Sequence, residues 1–81
     1  MKFIFIHFNK VQIVWLKINL VGSTKDITFN AFTEVPAIVT QVTNNTGIAY
    51  QNNVYNITVS SATVGLYLGS NNPISIIMIG I

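Results

Sequence analysis

An all-β fold is what this sequence predicts: one small antiparallel β-sandwich of about six to seven strands, occupying residues 1–81 as a single domain. Three observations point there. β-Branched and aromatic residues dominate the chain, and such side chains suit a pleated, half-buried surface. Turn-forming residues recur roughly every eight to twelve positions, the rhythm of a sandwich or barrel. No long stretch repeats apolar residues at helical spacing, and Ala and Leu are few.

The elements follow in order. Residues 2–8 read as a first strand, Asn9-Lys10 as a turn, and residues 11–20 as a second strand that ends in the turn residues of Val21-Gly22-Ser23-Thr24-Lys25. A short third strand covers 26–29, with Ile27 and Phe29 on one face, and residues 30–35 read as irregular. Pro36 has no amide proton to donate and belongs at a strand start or edge. The fourth strand is 37–43, and Asn44-Asn45-Thr46-Gly47 is a strong turn because Asn and Gly tolerate positive φ. Residues 48–50 form a short strand before the polar loop Gln51-Asn52-Asn53. A fifth strand spans 54–59, Ser60-Ser61 connects tightly, and a sixth spans 63–68. Gly69-Ser70-Asn71-Asn72-Pro73 is the second strong turn, and 74–81 closes the chain. That closing strand, Ile74-Ser75-Ile76-Ile77-Met78-Ile79-Gly80-Ile81, is almost wholly apolar, so both of its faces require cover. One face meets the sandwich core. The other meets either a neighbouring subunit or more of the same core.

Size and composition sharpen this expectation. A domain of 81 residues buries a modest share of its surface and is marginal alone. Without cysteine, neither a disulfide nor a thiolate metal site can stabilise it. Subunit association is the remaining device, and a hydrophobic fraction of 51% points the same way. Charge is scarce: Lys2, Lys10, Lys17 and Lys25 face only Asp26 and Glu34, with no arginine, for a net charge of +2. Nucleic-acid binding demands clustered Lys and Arg against phosphates, so it is not expected. The polar surface must instead consist of neutral groups, chiefly ten asparagines with Ser and Thr, which suit neutral hydrogen-bonding ligands. The apolar stretch Phe3-Ile4-Phe5-Ile6 is interrupted by His7, Asn9, Lys10, Gln12 and Lys17 before it reaches membrane-spanning length, and no small-residue cleavage site follows it. Membrane insertion is not expected.

Catalytic chemistry has little material. Glycoside hydrolysis needs two carboxyl groups about 5–10 Å apart, and Asp26 and Glu34 are the only pair. Solvated loop charges are the simpler reading of them. A nucleophilic triad needs a base, and the sole histidine, His7, sits in an apolar strand where a core or edge role is simpler. A metal site wants three or four convergent ligands, which the composition scarcely offers, and no phosphate-cradling glycine loop occurs. The sequence therefore predicts no enzyme, no cofactor and no metal.

Several stretches, taken in order, resemble the C-terminal tip domains of phage tail fibres. Asn9-Lys10-Val11-Gln12-Ile13-Val14-Trp15 resembles their Asn-Gly-apolar-apolar-apolar-polar-Trp strand. Asp26-Ile27-Thr28-Phe29-Asn30-Ala31-Phe32, followed by Pro36, is similar to their Thr-Phe-x-x-Phe-x-x-x-Pro signature. Val54-Tyr55-Asn56-Ile57-Thr58 falls where such domains carry an apolar-x-x-Ile-Thr strand, and Ile77-Met78-Ile79-Gly80-Ile81 resembles their closing strand. Lys10 stands where the family has a turn glycine, Leu16 where a glycine follows the Trp, and Ile81 where the family ends on an aromatic residue. The fibrous shaft that normally precedes such a tip is not in these residues, which leaves a stand-alone product, a fragment or part of a split fibre. The resemblance implies a sandwich similar to the H-type lectins, assembled as a homotrimer at the distal end of a virion tail fibre and adhering to bacterial surface glycan. A purely structural trimerising or capping module is the alternative.

Sugars present C–H surfaces to aromatic rings and hydroxyls to amides and alcohols. Tyr50 and Tyr55 flank Gln51-Asn52-Asn53, and these five residues are the candidate carbohydrate contacts. The competing reading is an amide-rich turn with both tyrosines packed at its rim. Trp15, mid-strand among Ile13, Val14 and Leu16, reads as core or subunit interface.

Overall fold

The computed structural model describes residues 2–20, 22–43, 51–66 and 72–81, and of residues 2–8 the backbone. Among the described residues, seven strands form two antiparallel sheets packed as a sandwich. They are β1 (Lys2–Phe8), β2 (Val11–Leu20), β3 (Thr24–Thr28), β4 (Ala37–Val42), β5 (Asn52–Tyr55), β6 (Ser61–Leu66) and β7 (Asn72–Gly80). One sheet has the order β1-β2-β7-β4 and the other β3-β6-β5. The closing strand is thus central, paired with β2 on one side and β4 on the other.

Alternation along the strands builds the core. Val14, Leu16, Ile18 and Leu20 of β2 and Ile74, Ile76 and Met78 of β7 point inward and are buried. Ile27 of β3 and Ala62, Val64 and Leu66 of β6 meet them from the other sheet. Period-two burial of this kind pins the register, because a slip of one residue would turn every core side chain to water. β7 shows what its unbroken apolar run means: Ile74, Ile76 and Met78 are fully enclosed, whereas Ile77 and Ile79 point to the opposite face and remain 42% and 47% exposed in the single chain. The core of one chain covers only one side of this strand.

The first hairpin is tight, with Phe8 opposite Val11. Asn9 takes the left-handed φ of 57° and Lys10 does not, a sign pattern of a type II′ turn, so no glycine is required at position 10. The long connection after β3 is held down at the end of the sandwich. Phe29 and Phe32 are buried and meet edge to face, with ring centroids 5.8 Å apart. The amides of Thr33 and Glu34 donate to the Ile81 carbonyl, and Gln12 Nε2 donates to the Ala31 carbonyl. Phe32 and Pro36 close over Gly80: a Cβ there would lie 3.0 Å from the Phe32 ring and 3.2 Å from Pro36. The Phe-x-x-Phe-x-x-x-Pro stretch and the closing strand therefore pack on each other.

Several expected boundaries move. β3 begins two residues earlier than residue 26, since Thr24 and Lys25 pair with Gly65 and Val64. β5 is Asn52–Tyr55, not 54–59: Asn56 adopts φ 51° and ends it, and Asn52 and Asn53, read as loop, are strand residues opposite Leu66 and Gly65. β6 begins at Ser61 and not at 63, and β7 at Asn72 and not at 74. The expected turn at 44–47 and strand at 48–50 lie outside the described residues. So do positions 69–71 of the second turn.

The β5–β6 turn is organised by one hydroxyl. Thr58 Oγ1 accepts from the amides of Ser60 and Ser61 at 3.2 and 2.9 Å, and the Thr58 amide donates to the Ser61 carbonyl at 2.8 Å. Thr58→Val keeps the shape and deletes the acceptor. It should cost about 1 kcal/mol in urea unfolding, since these groups are exposed and water replaces part of the loss.

Candidate functional site

The outer face of the three-stranded sheet carries polar rows. Register sets Thr24, Gly65 and Asn53 side by side across β3, β6 and β5, and sets Asp26, Thr63 and Tyr55 in the next row. Gly65 contributes no side chain, so its row sinks. The result is an open groove of about 590 Å³ lined by Ser23, Thr24, Gln51, Asn52, Asn53, Tyr55, Gly65 and Leu66. Its floor is the Gly65 backbone. A Cβ at that position would fall 2.6 Å from Asn53 Oδ1 and 3.4 Å from Tyr55 Cε1, so the amide and the ring lean in over the glycine.

Of the five candidate contacts, four border this groove and Tyr50 lies outside the described residues. Strand alternation separates the four. Asn53 and Tyr55 stand on the groove face in register with Gly65 and Thr63. Asn52 points the other way, where its Oδ1 accepts the Thr40 hydroxyl hydrogen bond at 2.5 Å and ties β5 to β4 of the opposite sheet. Gln51 is exposed at the groove's end. Tyr55 keeps 39% of its surface exposed. Sequence reasoning missed Ser23, Thr24, Gly65 and Leu66. A lone glycine inside the Thr63-Val64-Gly65-Leu66 strand was the available signal, because strand glycines often mark close approach of another group.

The groove wall is uncharged. One row away on the same face, Asp26 Oδ1 accepts the Thr63 hydroxyl at 2.8 Å. A second, smaller depression of about 330 Å³ lies beyond it, between Asp26, Thr28, Asn56, Ser61 and Thr63. Glu34 is exposed in the connection after Phe32, held through its backbone amide to Ile81. The backbone of His7 pairs with Gln12 in the other sheet. Among the described residues, no three His, Cys, Asp or Glu side chains converge as metal ligands would, and no helix is long and apolar enough to cross a membrane. Trp15 is half-buried on the outer face of the four-stranded sheet, in register with Ile77 and Val39.

No family model matches the chain, and neither does any curated protein or solved structure compared with it.

Proposed function

We propose that this chain is the receptor-binding tip of a phage tail fibre, a virion module that assembles as a homotrimer and adheres to neutral carbohydrate on the bacterial surface. The observation that carries the reading is the Gly65-floored groove. It offers a carboxamide, a phenol ring and hydroxyls to a ligand and no charge, which is the complement of a neutral sugar. A pyranose can lay its C–H face on Tyr55 while Asn53 and Gln51 bond its hydroxyls. The four sequence motifs supply the fibre context. Each such contact is shallow, so useful adhesion comes from several copies engaging one surface together.

A glycan array probed with the intact protein tests this. Some neutral saccharide should bind, and Tyr55→Ala or Asn53→Ala should each weaken binding about tenfold, the equivalent of roughly 1.4 kcal/mol. Gly65→Ala is the sharper variant. It forces the Asn53 side-chain end aside, which that flexible group can accommodate, so binding should fall while the melting temperature stays nearly unchanged. No binding by the wild-type protein, or binding indifferent to all three substitutions, rejects the site. A second reading, a module that only caps or trimerises a fibre, is favoured by the exposed Ile77 and Ile79. It predicts the same assembly with no saccharide affinity.

A further inference from the structure

The polar face of the three-stranded sheet continues past the groove. Its first row is Thr24, Gly65 and Asn53, its second Asp26, Thr63 and Tyr55, and its third Thr28 and Ser61. The groove of about 590 Å³ lies at the first row. The depression of about 330 Å³, bordered by Asp26, Thr28, Asn56, Ser61 and Thr63, lies at the third. The second row is the ridge between them. Alternate residues of a strand are about 6.8 Å apart, so the outer rows are separated by about 14 Å. A single pyranose ring cannot cover that distance, whereas two or three linked rings can.

The ridge has a defined hydrogen-bonding sense. Thr63 Oγ1 and Asp26 Oδ1 are 2.8 Å apart. A carboxylate has no proton to give, so the hydroxyl commits its own to Asp26. What the pair then turns outward is acceptors: the lone pairs of Thr63 Oγ1 and the second carboxylate oxygen, Oδ2. Asp26 is also the one charged residue among the outward positions of β3, β6 and β5, so no cation on this face offsets it. Whatever crosses the ridge must bring donors and must not bring negative charge. We propose that the ligand of this face is a neutral oligosaccharide of at least two residues, lying along the strands. One residue occupies the Gly65 groove beside Tyr55, the next occupies the second depression, and hydroxyls between them donate to Asp26 and Thr63. This rests on the sugar reading of the groove and adds to it a minimum length and an exclusion of acidic sugars.

Isothermal titration with the mono-, di- and trisaccharides of glucose, galactose, mannose and N-acetylglucosamine tests it. In the series that binds, affinity should rise about tenfold from one residue to two. Asp26→Asn keeps the shape of the side chain and turns an amide donor outward, so it should remove most of that rise. Thr28→Tyr, which fills the second depression, should remove it as well, with the far-UV spectrum unchanged. Oligomers of galacturonic acid should bind about tenfold or more weakly than the neutral oligomers of the same length. Should Thr28→Tyr fail to fold, Asp26→Asn decides alone. Binding that is lost on Gly65→Ala yet is no tighter for two residues than for one, or is indifferent to Asp26→Asn, or is equally strong for the acidic oligomers, overturns the two-residue assignment and leaves the groove standing. No binding in any series, or binding indifferent to Gly65→Ala, rejects the groove and the second depression with it.

Discussion

Ile76→Ala should destabilise the domain by about 2–5 kcal/mol. Ile76 is fully buried at the middle of β7, in register with Leu16 on β2 and Thr40 on β4. Cutting it to alanine loses the transfer free energy of three carbons and leaves a void that flanking β-strands, fixed by hydrogen bonds on both sides, cannot close. The upper end of the range applies where the site cannot collapse. A chain of this length holds in total about 4–12 kcal/mol, so this one truncation removes a large share of it. Urea unfolding should show a lower midpoint with the slope nearly unchanged. Ile77→Ala, one residue along on the outer face, is the control: in the isolated subunit it should cost far less, since Ile77 is already 42% exposed. Equal losses at the two positions would contradict the inward and outward assignment of β7.

The second large effect belongs to Gly80. Gly80→Ala should cost about 1–3 kcal/mol by overpacking, and Gly80→Val more. The new Cβ meets Phe32 Cδ1 at 3.0 Å and the Pro36 Cα and Cβ at 3.2 Å. Backbone and a proline ring cannot swing aside as a flexible side chain does. The connection would lift, and with it the bonds from the Thr33 and Glu34 amides to the Ile81 carbonyl. Thermal unfolding should show it as a drop of about 4–8 °C for each kcal/mol lost. Gly22→Ala gives a useful contrast. Nothing lies within 4 Å of a Cβ there, but its φ is 91°, so its cost is backbone strain alone. Phe32→Leu should rescue part of the Gly80→Ala loss and none of the Gly22→Ala loss. Failure of that rescue would remove crowding against Phe32 as the cause.

Some of this architecture was written locally. Residues 2–8 and 11–20 emerge as β1 and β2 with the expected limits, because a two-residue turn and period-two burial in β2 both act over short range. The end of β5 was harder. Ile57-Thr58-Val59 has strand composition, yet Asn56 turns the chain and the Thr58 hydroxyl caps the turn. Conversely, Asn52 and Asn53 have loop composition and are strand residues, because β6 offers them a ladder to pair with. Propensity yields to pairing wherever a partner strand is already in place. The groove divides the same way. Gln51, Asn53 and Tyr55 are neighbours in the chain and could be named together, whereas Ser23 and Thr24 join them only because β6 pairs with both β3 and β5.

By itself the amino-acid order determined an all-β domain poor in charge, rich in neutral amides, and ending in a strand with apolar side chains in both directions. Those properties are sums over residues or alternations along one strand, and they need no knowledge of neighbours. Only the tertiary structure decided which of the two directions meets the core, that Asn52 serves the fold while Asn53 faces the groove, and that Gly65 leaves a floor and Gly80 a seat. Each of these depends on register between strands far apart in the chain, and register is settled by how the whole set of buried side chains fits, which no single segment encodes.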